Sequence, residues 1–337
     1  MKRFLFIITL MAASYGYSTS AAEPRVGIVV GWGVMGGMQM TGYPAHGRTT
    51  NLVQIAEGVV TNAVAIATDN FHSLALTADG TVFGWGFNAG GMATGRKEGN
   101  SDHTNGWVSV NGNLLRDVIG VSVNQNASLA LTREGKVVVW GDLSQPQGLS
   151  NVVAISAGFL RALALKKDGS VFCWGKRFNS LGDLTNVSAI SAAKAPYWND
   201  VALCADGSII EQDSTEQHRV SINGGVVIAI SAGHNHSLAL NRDGTVFGWG
   251  ANDGGQATGI PKLDGDRQSS GLVMIDGERL TNVVQIAAGN EYSLALKRDG
   301  HVVAWGNKRF YTEMPPDLTN VVSIVAGQGY CLAIQKR

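Results

Sequence analysis

Apolar and polar residues alternate in short runs along most of this chain, and the runs recur. The stretch "SLALTADGTVFGWG" (73–86) returns as "SLALTREGKVVVWG" (128–141), "ALALKKDGSVFCWG" (162–175), "SLALNRDGTVFGWG" (237–250) and "SLALKRDGHVVAWG" (293–306). Each copy reads as a β-hairpin. Residues alternating around Leu-Ala-Leu form one strand, and β-branched and aromatic residues form the next. The Asp-Gly between them (Glu-Gly in the second copy) supplies the positive φ that a tight turn needs. A further strand precedes each hairpin, as in "NVVAISAG" (151–158) and "NVVQIAAG" (282–289). No 11-residue window shows helical periodicity, so the pattern predicts an all-β chain.

Two copies depart from the pattern. "DVALCADGSIIEQD" (200–213) carries Gln212 where the others have tryptophan. The seventh is split: the chain ends in "CLAIQKR" (331–337) and "GIVVGWG" (27–33) lies near its start. Joined end to start, these align with "SLALKRDGHVVAWG". This predicts a closed ring whose first and last strands share one blade, an arrangement that removes open sheet edges. The repeat tryptophans, with Gln212 counted as one, are 53, 55, 34, 38, 37 and 56 residues apart, and the wrap from Trp305 to Trp32 adds 38. These are propeller-blade lengths. The expectation is a single seven-bladed β-propeller over residues 26–337. Three long units carry inserts, 34–51, 87–107 and 251–272, which are expected as outer strands and surface loops.

"VVQIAAGNEYSLALKRDGHVVAWG" and "GWGANDGGQATG" resemble repeats of the regulator of chromosome condensation family, which implies a seven-bladed propeller. The shorter units are also similar to a secreted, propeller-type β-lactamase inhibitor protein built from such repeats. Neither resemblance fixes an activity, because propellers host many.

Composition narrows the classes. The 44 glycines among 337 residues are nearly twice the usual share and fit a turn-rich chain. Equal numbers of basic and acidic residues, 26 each, give no global field toward nucleic acid, so no nucleic-acid partner is expected. Residues 1–22 read as a signal peptide: Lys2 and Arg3, an apolar stretch to Ala13, and a small-residue cleavage site near Ala22. The expected location is therefore secreted or periplasmic, with no membrane insertion, as a monomer. The odd cysteine count, Cys173, Cys204 and Cys331, predicts buried free thiols rather than a disulfide framework.

Gly31-Trp32-Gly33-Val34-Met35-Gly36 matches the letters of a dinucleotide-binding turn, yet no helix pattern follows to meet a pyrophosphate. It reads instead as the first part of the closing repeat, and no cofactor is expected. The recurring Asp79, Asp168, Asp206, Asp243 and Asp299 are assigned to turn chemistry. His72 and His236 hold one repeat position in separate blades, which argues against a shared metal site.

The loops before each Leu-Ala-Leu strand differ in content while the framework repeats. They supply the candidate partner-binding residues Phe71, His72, Phe159, Arg161, Tyr197, Trp198, His234, His236, Tyr292 and Tyr330. Aromatic anchors on a rigid scaffold suit recognition, and in the resembling inhibitor aromatic residues of these loops contact the target enzyme. The fourth loop, "KAPYWN" (194–199), is three residues longer than its counterparts. The expected function is a non-enzymatic exported module that binds a protein or a cell-surface polymer. The alternatives are a nucleotide-exchange regulator of a small GTPase and a glycan-active enzyme in the central channel. No catalytic signature is present.

Overall fold

The computed structural model describes residues 26–33, 51–55, 58–97, 103–176, 181–195, 200–212, 216–222, 225–262, 268–311, 314–315 and 318–336. Its strands form seven antiparallel sheets of three or four strands, here numbered as blades. The innermost strands of blades 1 to 7 are Ala63–Thr68, Val118–Val123, Val152–Gly158, Val187–Ser191, Val227–Ala232, Val283–Ala288 and Val321–Ala326. All seven line one axial cavity of about 130 Å³. The split repeat forms blade 7, where Ile28–Gly33 pairs with Tyr330–Gln335 from Ile28 opposite Gln335 to Gly33 opposite Tyr330. The first and last described strands therefore lie side by side.

The repeat is dictated by packing between blades. Each repeat tryptophan sits on the middle strand of the preceding blade, a Leu-x-Leu strand in most copies. Trp140 packs with Leu74 and Leu76, Trp174 with Leu129 and Leu131, and Trp32 with Leu294 and Leu296. One apolar layer per junction results, and burial of this aliphatic and aromatic surface is the main favourable term. At the worn copy, Leu163 and Leu165 are covered by Ile210 and Leu181 instead, and Gln212 is buried.

The turn assignments hold. Asp168 Oδ1 accepts from Ser170 N at 3.0 Å and from Ser170 Oγ at 2.6 Å, and Asp206 and Asp243 cap their turns in the same way. The glycine of each turn has φ between 75° and 86°.

Gly33 also takes positive φ, and a Cβ there would stand 2.7 Å from the Gly329 carbonyl oxygen. Both Gly31 and Gly33 lie within a buried strand, while Gly36 falls outside the described residues.

The long-unit inserts differ from expectation. Outer strands do form at His103–Trp107 and Gln268–Leu272. The segments before them are folded turns rather than surface loops. Asn88 Oδ1 accepts from Ala93 N and Thr94 N, and Asn252 Oδ1 accepts from Ala257 N and Thr258 N. These turns lie across Gly84 and Gly248, where a Cβ would strike the Ala93 and Ala257 carbonyl oxygens. The Met92 and Gln256 carbonyls then accept from Ser128 Oγ and Ser293 Oγ of the next blade. The insert 34–50 lies outside the described residues. Trp107 packs edge-on against Phe83 at 5.4 Å. None of the three cysteines forms a disulfide, but only Cys331 is fully buried, and Cys173 and Cys204 are half-buried at the blade 3–blade 4 junction.

Candidate functional site

The loops joining inner to middle strands emerge together around one mouth of the channel. Two hydrogen-bonded belts hold them. In the deeper belt an inner-strand serine accepts a backbone N–H from the next blade. Ser122 accepts from Ala157, Ser156 from Ala192, Ser191 from Ala232 and Ser231 from Ala288, at 2.9–3.0 Å. Between blades 6 and 7 Gln285 makes both bonds of an equivalent link to Ile324.

In the upper belt each loop donates to a carbonyl at one repeat position of the next blade. Asn124 Nδ2 donates to Gly158, Phe159 N to Ala193, Lys194 N to Gly233, His234 N to Gly289, Tyr292 Oη to Gly327 and Gln328 N to Asp69. Glycine or alanine at most of these positions keeps the neighbouring loops close: a Cβ on Gly233 would lie 2.6 Å from the Gly289 oxygen.

Five of the ten candidate residues prove to be latches between blades. His72 Nε2 lies 2.7 Å from Ser128 Oγ, and His236 Nε2 lies 2.7 Å from Ser293 Oγ. The Tyr330 hydroxyl bonds Ser73 Oγ at 2.8 Å, and Tyr292 reaches the Gly327 and Tyr330 carbonyls at 3.0 and 2.9 Å. Arg161 forms a two-pronged ion pair with Asp200, 2.8 and 2.6 Å. These residues are at most 5% exposed, so in this structure they shape the face rather than present themselves on it.

Burial drives the His72 and His236 imidazoles down to about 3, so both are neutral, and it raises the Tyr330 phenol. Each latch matches its receiver. A histidine or Tyr330 faces a serine, and Tyr292 faces the Cys331 thiol at 3.5 Å.

Phe71, Phe159 and His234 are half-buried and face outward beside Asn70, Gln125, Asn126, Leu160, Asn235, Asn290 and Glu291, which have similar exposure. Phe71 packs on Phe87 at 5.7 Å. Burial lowers the His234 imidazole against the attraction of Glu291. Tyr197 and Trp198 lie outside the described residues. His72 and His236 latch different junctions, and among the described residues no three His, Cys, Asp or Glu side chains converge as a metal site.

Two residues that sequence reasoning passed over stand at the channel mouth. Lys194 reaches across from blade 4, and its Nζ donates to the Thr68 carbonyl of blade 1 at 3.0 Å and the Ala326 carbonyl of blade 7 at 2.9 Å. It therefore ties blade 4 to the junction between blades 7 and 1. Asp69 is 1% exposed, and neither carboxylate oxygen has a hydrogen-bond partner. Burial raises its carboxyl to about 6, against the attraction of Lys194. The available signal was that Asp69 occupies a position held by glycine in four copies.

Comparison with known proteins agrees with this architecture. Residues 64–91, 152–182, 227–256 and 283–310 match the Regulator of chromosome condensation (RCC1) repeat. The chain is 32% identical over 116 residues to Regulator of chromosome condensation of Drosophila melanogaster, covering 33% of this chain and 20% of that protein. It is 26% identical over 257 residues to Protein pim1 of Schizosaccharomyces pombe, covering 73% and 37%. The chain thus spans well under half the length of these relatives.

Among solved structures, Prp20p of Saccharomyces cerevisiae, described with its binding to Gsp1p and histones, superposes with a TM-score of 0.73 at 18% identity, covering 94% and 93%. Human WBSCR16 superposes at 0.65 and 17%, covering 92% and 100%. The protein is a β-propeller. It carries regulator of chromosome condensation repeats in four of its blades.

Proposed function

We propose that this protein is a non-enzymatic binding module that engages a protein partner through the loop face. One observation carries the reading. The latch side chains are consumed in bonds between blades, whereas the other loop residues, which also vary from copy to copy, stand half-exposed on one rim. A rigid scaffold with variable amide, aromatic and imidazole tips is suited to recognition.

The leader-like segment 1–22 supports placing this activity outside the cytoplasm, and fractionation of cells expressing a C-terminally tagged chain tests that placement. For binding, a Phe71→Ala, Phe159→Ala, His234→Ala triple variant should fold as the wild type and lose capture of a partner retained by wild-type protein from the same extract. A Tyr197→Ala, Trp198→Ala variant tests the fourth loop separately. Undiminished capture by both variants would remove this face from the proposal.

The likeness to Prp20p favours a second reading, regulation of a small GTPase, although 18% identity establishes the fold alone. Release of labelled nucleotide from a loaded GTPase tests it. No acceleration is expected from this chain.

A further inference from the structure

The upper belt has one break. Six junctions carry a donor from one loop to the next blade's carbonyl, and the missing junction runs from blade 1 to blade 2. There the Asn70 N–H, counterpart of the Phe159, Lys194, His234 and Gln328 donors, makes no such bond, and the side chain before it is Asp69, whose ionised carboxylate can only accept. In the next copy Asn124 occupies the equivalent position, and its Nδ2 donates forward to the Gly158 carbonyl at 2.9 Å. By repeat position the acceptor on blade 2 is the Asn124 carbonyl, which receives no bond from blade 1 among the described residues. Asp69 Oδ1 and Oδ2 and the neighbouring Asn70 Oδ1 are all sealed from solvent and unpartnered. Such groups are rare in folded proteins and ask for a reason.

Because these oxygens are closed to solvent, a bulky ligand cannot reach them, but a proton can. We propose that Asp69 is a proton-operated latch. Protonated, it donates to the Asn124 carbonyl and completes the belt; ionised, it leaves the blade 1–blade 2 junction of the loop face open.

The charged and titratable groups around it are few. Lys194 attracts the carboxylate from across the channel while its Nζ is held by the Thr68 and Ala326 carbonyls. Tyr330 on blade 7 is neutral, raised by burial and in small part by Asp69 itself. His72, one turn along the same blade, is neutral, with Nε2 on Ser128 and Nδ1 unpartnered. Blade 2 presents the neutral Asn124 and Ser128.

The carboxyl is raised on folding from 3.8 to about 6. The folded state therefore holds the proton more tightly than the unfolded chain. The stabilisation is complete at pH values below the unfolded pKa and is lost as pH rises through about 6. Two pKa units correspond to about a hundredfold in the folding equilibrium. This latch does not depend on the identity of any partner, and its tests involve none.

The direct test is a pH titration of wild-type protein carrying ¹³C in the Asp and Asn carbonyl and carboxyl carbons. The Asp69 carboxyl and the Asn124 carbonyl should shift together with a midpoint near 6. In Asp69→Asn the Asn124 signal should stay constant. An Asp69 midpoint near 4, or an Asn124 carbonyl that ignores it, overturns the latch.

Urea unfolding supplies a second readout. The advantage of Asp69→Asn over wild type should be about a hundredfold larger in the folding equilibrium at pH 8 than at pH 4. Asp69→Ala, which removes the charge without supplying a donor, should be less stable at pH 8 than Asp69→Asn. An advantage independent of pH, or equal stability of the two variants, refutes the proposal.

Discussion

Arg161 and Asp200 join blades 3 and 4 beside the worn repeat, and the pair makes a quantitative test of the latch idea. The guanidinium meets both carboxylate oxygens, and the side chains are only 6% and 1% exposed. Replacing Arg161 with methionine keeps most of the side-chain volume and leaves Asp200 buried with the Ala193 N–H, 2.9 Å away, as its remaining partner. An uncompensated buried charge of this kind costs about 3–5 kcal/mol. Burial already raises the Asp200 carboxyl against the pull of Arg161, so without the arginine it takes up a proton at higher pH and part of the cost is relieved there.

The double variant Arg161→Met, Asp200→Asn removes both charges and preserves an acceptor for Ala193 N. It should lose no more than about 2 kcal/mol, because a neutral pair of similar volume often matches a buried ion pair. Urea unfolding at pH 7 of wild type, both singles and the double closes the cycle, with an expected coupling of roughly 2 kcal/mol or more. If Arg161→Met costs under about 1 kcal/mol, or if the singles simply add, the pair is not a latch and the assignment of this repeat position fails.

Other outcomes follow from the same geometry. His72 and His236 are lowered to about 3 in the folded protein, so each unfolding event takes up protons between pH 6.5 and 3. Their contribution is intact above pH 6.5 and declines on acidification with a slope near 1.4 kcal/mol per pH unit for each histidine. The variant His236→Gln should show a shallower acid limb by that amount in denaturation at stepped pH. Gly84→Ala and Gly248→Ala should each destabilise by roughly 1–3 kcal/mol, read as a lower melting temperature, because the insert turn must move off the strand. Gln145 bonds Val139 N at 3.0 Å and the Val137 carbonyl at 2.6 Å along the free edge of three-stranded blade 2. Gln145→Ala should cost about 1 kcal/mol and promote concentration-dependent association, measured by light scattering, by baring that edge.

The fold was legible because its chief interaction is encoded locally. The tryptophan and the Leu-x-Leu pair recur in every intact copy, and each packs across a junction identical to the next. Even the end-to-start closure could be read, since the split halves complete one repeat. Much of the candidate site was not legible, for a matching reason. Variation at positions 72, 161, 236, 292 and 330 resembles a recognition set, yet each residue varies together with its receiver on the following blade. That receiver sits about 40 to 60 residues away, or across the chain ends for Tyr330 and Ser73. Sequence spacing alone does not separate a buried latch from an exposed anchor. The insert turns were hidden similarly: their burial depends on Gly84 and Gly248, whose significance appears only when the turn is seen lying across them.

The ring thus divides its labour by depth. Near the axis, serines and Gln285 fix the blades at constant spacing, and the second tier of histidine, tyrosine and arginine latches sets the angle at which each loop leaves the core. Lys194 ties the start of the fourth loop to the blade 7–blade 1 junction, because its ammonium holds Thr68 of blade 1 and Ala326 of blade 7 together. Lys194→Met keeps the stem and removes the donors. It should therefore loosen the blade 7–blade 1 junction, seen as faster amide exchange in Ala63–Thr68 and Val321–Ala326, while exchange in blades 2 and 3 stays at the wild-type rate.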